Sequence, residues 1–230
     1  PRERFVGTPG MNEPAKYLAS SIDVRTRRKL VSLERRDGDG GPRWYLHFEN
    51  GRCVGGYDLV VFTSPPPQTI ELLAGHTEAA PIVEKLATVR MQPQWAGMFA
   101  YAQAPKVPFD AATIETHPIA GWVMATPGRR DCWTLLASYD WSTTNLEREA
   151  DDVKRDLTAA ARDILGVDPI HADAHRWRYS HCAQPLGQPF AHAPEAGLAA
   201  CGDWCLGAKA EHAYLSARAL ADHVDGQPAR

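Results

Sequence analysis

Residues 57–62, Tyr-Asp-Leu-Val-Val-Phe, are almost continuously apolar. That pattern predicts a strand covered on both faces, within a largely parallel sheet. Residues 43–50 alternate instead, placing Trp44, Leu46 and Phe48 on one face. They pair in expectation with 23–36, rich in Val, Thr and Leu, across the polar turn Asp37-Gly38-Asp39-Gly40-Gly41-Pro42. Upstream, 4–7 reads as a short strand, Thr8-Pro9-Gly10 as a turn, and Asn12 as the cap of a helix carrying Glu13 and Pro14 in its first turn. Downstream, 68–91 predicts two helices broken near Gly75, and 94–104, 121–126 and 132–140 predict strands of an antiparallel sheet. The clearest helix is 146–165, where Leu146, Ala150, Val153, Leu157, Ile164 and Leu165 recur at helical spacing opposite a charged face and Gly166 stops the run. An alternating strand over 170–182, a Pro/Gly-rich crossing over 184–197, a short apolar strand over 198–201 and a helix over 209–224 complete the chain.

Composition narrows the class. Over 230 residues, 44% hydrophobic and 23% charged is an ordinary globular balance, which excludes disorder, collagen and coiled coil. The net charge is −3 and the basic residues are scattered, so nucleic acid is not the expected partner. No apolar run approaches the ~18 residues of a membrane span, and no basic-then-apolar signal begins at Pro1, so the expectation is a soluble, cytoplasmic protein. Five cysteines, an odd count in a chain of this size, are expected to be free thiols.

The chemistry concentrates in 197–221, where an apolar strand runs into Gly202-Asp203, a loop holding Gly207 and an alanine-rich helix start. Gly202 lets backbone approach a ligand, Asp203 can accept from sugar hydroxyls, and the amides of the helix start face an anion. In 171–181, alternation puts His171, Asp173, His175, Trp177, Tyr179 and His181 on one face. A metal reading of that face is set aside, because strand neighbours two apart are roughly 6–7 Å apart and nothing fixes the ring tautomers. Cys201 and Cys205 lack a second cysteine pair and read as buried thiols.

Strand-Gly-Asp-x-x-x-Gly-x-x-x-Glu-x-Ala-x-x-Ser resembles the C-terminal FAD-binding segment of the flavin amine oxidase superfamily. Cys201-Gly202-Asp203-Trp204-Cys205-Leu206 with Lys209-Ala210-Glu211 resembles its bacterial renalase branch. Phe5 to Asn12, Arg28 to Glu34 and Tyr57 to Pro67 are similar to successive segments of the same proteins, in the same order, so the resemblance runs along the whole chain.

The resemblance implies an α/β (α+β) fold: an incomplete FAD-binding, Rossmann-like domain with an antiparallel-sheet substrate domain. Residues 1–75 would be the remainder of the FAD domain, 76–190 the substrate domain, and 191–230 the return to the FAD domain. It implies FAD as cofactor, with Gly202 and Asp203 at its ribityl or pyrophosphate part, Ala210 near the isoalloxazine and Val31 giving a main-chain contact to adenine. Trp204, with Trp177 and Tyr179, would face the substrate. The implied activity oxidises 2- or 6-dihydro isomers of NAD(P)H to NAD(P)+, with oxygen reduced to hydrogen peroxide and no named catalytic acid or base. A flavin amine oxidase or desaturase is the first alternative, and a non-catalytic fragment binding a nucleotide or partner chain the second. The sequence departs from the family in having no G-x-G-x-x-G turn; its nearest glycine cluster, 38–41, reads as a hairpin turn. The 59–62 strand is then expected to lack a sheet neighbour, leaving an edge open to association.

Overall fold

The computed structural model describes residues 7–226 apart from Pro9 and Gly40. Most of the expected 4–7 strand therefore lies outside the described residues. The observed class is mixed α/β with antiparallel sheets, built from three sheets and six helices among those residues.

The chain enters through α1 (Glu13–Ala19), whose first amide is held by Gly10 O rather than by the Asn12 side chain. An antiparallel meander follows: β1 (Leu30–Arg36), β2 (Arg43–Phe48) and β3 (Cys53–Tyr57). The Gly38–Pro42 region is the β1–β2 turn, as its composition indicates, while 23–29 stays outside the strand. Then come β4 (Val60–Phe62), α2 (Pro66–Leu73) and α3 (Ala80–Leu86). The apolar run at 57–62 is two pieces, because Tyr57 ends β3 and only Val60–Phe62 forms the next strand. That strand is not covered on both faces: Val60 and Phe62 point into the core, and Val61 is 42% exposed.

The second half builds a five-stranded antiparallel sheet in the order β6-β7-β8-β5-β9. Its strands are β5 (Arg90–Ala100), β6 (Ala111–Thr113), β7 (Ala120–Thr126), β8 (Arg129–Ala137) and β9 (His171–Gln184). Between β8 and β9 lie α4 (Tyr139–Thr144) and α5 (Ala150–Leu165). The sequence pattern runs α4 into the preceding strand, but Ser138 caps it by accepting the Trp141 amide at 3.3 Å. It also starts α5 four residues early. Glu149 is extended, and the Leu146 carbonyl is drawn away by Arg176 at 2.7 Å. Val153, Leu157, Ala160 and Ala161 of α5 are fully buried against Trp95, Phe99, Val123, Trp133 and Leu135 of the sheet, making one of the two large core clusters. The opposite face of this sheet carries Ala96, Met98, Trp122, Met124 and Leu136, which are not part of that cluster.

The chain returns through β10 (Ala191–Ala193) and β11 (Leu198–Ala200) to α6 (Ala210–Asp225). β11 pairs in parallel with β4 and antiparallel with β10, giving the order β10-β11-β4. β4 is therefore an outer strand, and the expected open edge is present among the described residues. The other large cluster joins this small sheet to the meander and to α2 and α3 through Leu33, Trp44, Phe62, Ile82, Leu198 and Trp204. Among the described residues no helix is long and apolar enough to cross a membrane.

Candidate functional site

β11 ends at Ala200, and the chain then turns through Cys201 and Gly202 into a 3-10 turn at Asp203–Cys205. A Cβ on Gly202 would collide with the buried indole of Trp204, reaching 2.9 Å from its Cδ1, so this position takes only a bare backbone. The Gly202 amide donates to Ser216 Oγ at 3.0 Å, and that hydroxyl donates to Pro189 O at 2.6 Å, which ties the turn to α6 and to the crossing segment. The Asp203 main-chain carbonyl closes the turn by accepting from Leu206 and Gly207. Its half-buried carboxylate makes no hydrogen bond or ion pair among the described residues. Gly207 sits at φ +152°, in the left-handed region that favours glycine, and the His212 ring fills the space where a Cβ would go, 2.5 Å from Nδ1. α6 then begins at exposed Ala210 without a side-chain cap, and of its first-turn amides that of His212 donates to the Lys209 carbonyl at 2.9 Å.

Of the other expected site residues, Trp204 lies in this turn but packs inward, and Val31, Trp177 and Tyr179 lie on other strands. Trp204 is 1% exposed within the core cluster, its indole nitrogen unpartnered, so it shows no face to a substrate. Adjacency to Asp203 in sequence suggested a substrate position, but the 3-10 turn rotates the ring inward. Val31 lies in the meander, 48% exposed at a register break in β1 that leaves it without a paired residue on β2. Trp177 is 54% exposed on β9, and Tyr179 is half-buried beyond it. The expected common face of 171–181 holds as far as Trp177. Between the pairs Gln94–Trp177 and Gln92–His181 the β9 register then shifts, breaking the alternation before Tyr179 and His181.

A cleft on the open face of the five-stranded sheet measures about 580 Å³. Gln92, Gln94, Trp122, Leu136, Tyr139 and Asp140 contribute to its lining. Sequence reasoning passed over Trp122, a residue of β7, and over Tyr139 and Asp140, which read as strand residues until α4 is recognised. The Ser-x-x-Trp cap at 138–141 was the available signal. Gln94 is buried and locked: it donates to Ala137 O at 3.0 Å and accepts from Ser180 Oγ at 3.1 Å. Tyr139 stacks on His181 at 4.8 Å between centroids, and burial pushes its phenol above the ordinary range.

β9 joins cleft and turn. Ser180 bonds Gln94, His181 stacks on the cleft's Tyr139, and Cys182 donates to Trp204 O at 3.7 Å, one residue from Asp203. The Leu186 and Gly187 amides add bonds to Trp204 O and Cys205 O, both at 3.0 Å. All five cysteines are free thiols. Burial raises the thiols of Cys182, Cys201 and Cys205, the last to about 11, so they are poor nucleophiles at neutral pH.

No family model matches the sequence. Among solved structures, a candidate protoporphyrinogen oxidase from Exiguobacterium sp. 255-15 matches over 94% of this chain at TM-score 0.68 and 15% identity. The match covers 51% of that protein, so this chain spans about half the length of the structure it resembles. The likeness shows that the two share a fold over almost all of this chain.

Proposed function

We propose that the chain is part of an FAD-dependent oxidoreductase, with the cofactor at the Gly202–Ala210 turn and the substrate in the cleft of the five-stranded sheet. The observation that carries this reading is the half-buried, unpartnered carboxylate of Asp203, set between a bare glycine and an uncapped helix start in a fold shared with an oxidase. A carboxylate so placed accepts from sugar hydroxyls, and a helix start favours electron-rich or anionic atoms. Gly202, Asp203 and Ala210 fit such a cofactor by that chemistry. Val31 sits in a different sheet, at the register break of β1. Bound there, FAD would supply hydride acceptance. The residues of this chain would position the reacting ring and exclude water from it.

The substrate class proposed is a 2- or 6-dihydro isomer of NAD(P)H. It is oxidised to NAD(P)+ while oxygen and a proton become hydrogen peroxide. Lys85 and Lys106 are exposed and, like Lys154, do not line the cleft, and Lys154 is paired with Asp151 at 2.6 Å. That favours the dinucleotide over an amine. The test is peroxide formation by the FAD-supplied chain with dihydronicotinamide isomers and with primary amines. Peroxide and NAD(P)+ in equal amounts from the isomers is the expected result. Turnover of amines alone, or of neither class, would overturn the assignment.

A further inference from the structure

We infer that Ser216 is the positioning residue of the cofactor turn: its hydroxyl fixes Gly202 and, through Gly202, the direction in which the Asp203 carboxylate meets a nucleotide. The inference rests on reading Gly202–Ala210 as the cofactor site. It adds a residue that touches no ligand and yet sets the affinity of the site.

The packing of the turn creates the need for such a residue. The Trp204 indole leaves no room for a side chain at position 202, so the link from β11 to Asp203 is a glycine, the residue with the widest backbone freedom. The sheet holds the chain as far as Cys201, whose amide donates to Phe62 O at 3.0 Å. Asp203 lies two residues further on, and its half-buried carboxylate makes no hydrogen bond or ion pair among the described residues. The acid therefore points where Gly202 directs it.

Ser216 removes that freedom from the side of α6. It is fully buried, and its one hydroxyl works in both senses: Oγ accepts the Gly202 amide at 3.0 Å and donates to Pro189 O at 2.6 Å. The segments it joins are distant in sequence, Gly202 lying 14 residues before it and Pro189 27. The Gly202 carbonyl accepts from the Cys205 amide at 3.1 Å, so both backbone polar groups of the glycine are engaged. Removing the hydroxyl takes this partner from the Gly202 amide and from the Pro189 carbonyl, and returns rotation to the glycine. A displacement of about 1 Å at the carboxylate is enough to break a directional hydrogen bond to a sugar hydroxyl. Alanine makes neither bond, cysteine makes both weakly, and threonine makes both.

The test joins a readout that needs no cofactor to one that does. In the full chain, hydrogen exchange of the Gly202 amide is followed by NMR, and FAD affinity by fluorescence quenching. Ser216→Ala is expected to speed Gly202 exchange about tenfold while the β11 amides stay protected. It is expected to weaken FAD about fivefold, about 1 kcal/mol, and Ser216→Thr to restore both readouts. In an Asp203→Ala background no carboxylate remains to be aimed, so Ser216→Ala is expected to cause no further loss of affinity. Ser142→Ala removes an equally buried hydroxyl, one that accepts the Trp95 amide at 3.1 Å, and is expected to lower stability without moving either readout. Should Ser216→Ala not fold, Ser216→Cys, which keeps the volume, takes its place. Unchanged Gly202 exchange, an equal affinity loss with and without Asp203, or a threonine variant that restores exchange but not affinity would each overturn the inference. A wild-type chain that takes up no FAD would instead refute the cofactor reading, and Gly202 exchange alone would then decide whether Ser216 holds the turn.

Discussion

At residue scale the site depends on a glycine that cannot be anything else and an acid with nothing to hold. Gly202→Val is expected to break the turn, since the buried Trp204 indole cannot retreat from a side chain. The cost is expected at about 2–4 kcal/mol, read from chemical denaturation. His117 is a second such point. Its Nδ1 accepts the Ile119 and Ala120 amides, both at 3.1 Å, so His117→Ala should strand two donors and cost about 1–3 kcal/mol. Recovery in His117→Asn would identify acceptance, rather than ring packing, as the cause. The thiols give a pH test. Cys205 titrates near 9 in an unfolded chain and about 11 in the fold. The fold therefore holds the proton more tightly, and this contribution is intact below pH 9 and lost as pH climbs toward 11. Cys205→Ala should flatten that alkaline limb. Thiol reagents at neutral pH should reach exposed Cys53 first and leave Cys182, Cys201 and Cys205 untouched until denaturation. The strand, the Gly-Asp turn and the helix start over 198–210 were legible from sequence because they follow one another in consecutive residues. The inward packing of Trp204 was not legible, because sequence proximity does not say which way a 3-10 turn aims a ring.

At element scale, periodicity served where an element packs on one partner. α5 was readable to its last turn because five of its apolar positions are buried in one core cluster with the sheet, and Gly166 at φ +73° ends it in the left-handed conformation. Leu157→Ala, at the centre of that contact, should cost about 2–5 kcal/mol, and an unchanged denaturation midpoint would contradict this packing. Periodicity failed where two short elements abut. β3 and β4 merged into one apolar run, and α4 was absorbed into β8 because Tyr139 and Trp141 suit either structure. On β9 the register shift between Trp177 and His181 cannot be seen in the amino acids, yet it decides that His181, not Trp177, reaches the cleft's Tyr139.

At the scale of the molecule, the chain shares its fold with a candidate oxidase about twice its length, and among the described residues its small parallel pair ends at the outer strand β4. Backbone groups on such an edge invite another strand. Concentration-dependent self-association is therefore expected, reduced by Val61→Lys and measured by sedimentation. Association indifferent to that substitution would place the contact elsewhere. The central claim is that Gly202–Ala210 holds a flavin nucleotide through the free carboxylate of Asp203. The most direct measurement is the quenching of FAD fluorescence on titration with the purified chain, repeated with Asp203→Ala at matched circular dichroism. Saturable quenching, weakened at least tenfold by the substitution, about 1.4 kcal/mol, is the predicted result. No quenching, or equal quenching by both proteins, would contradict it.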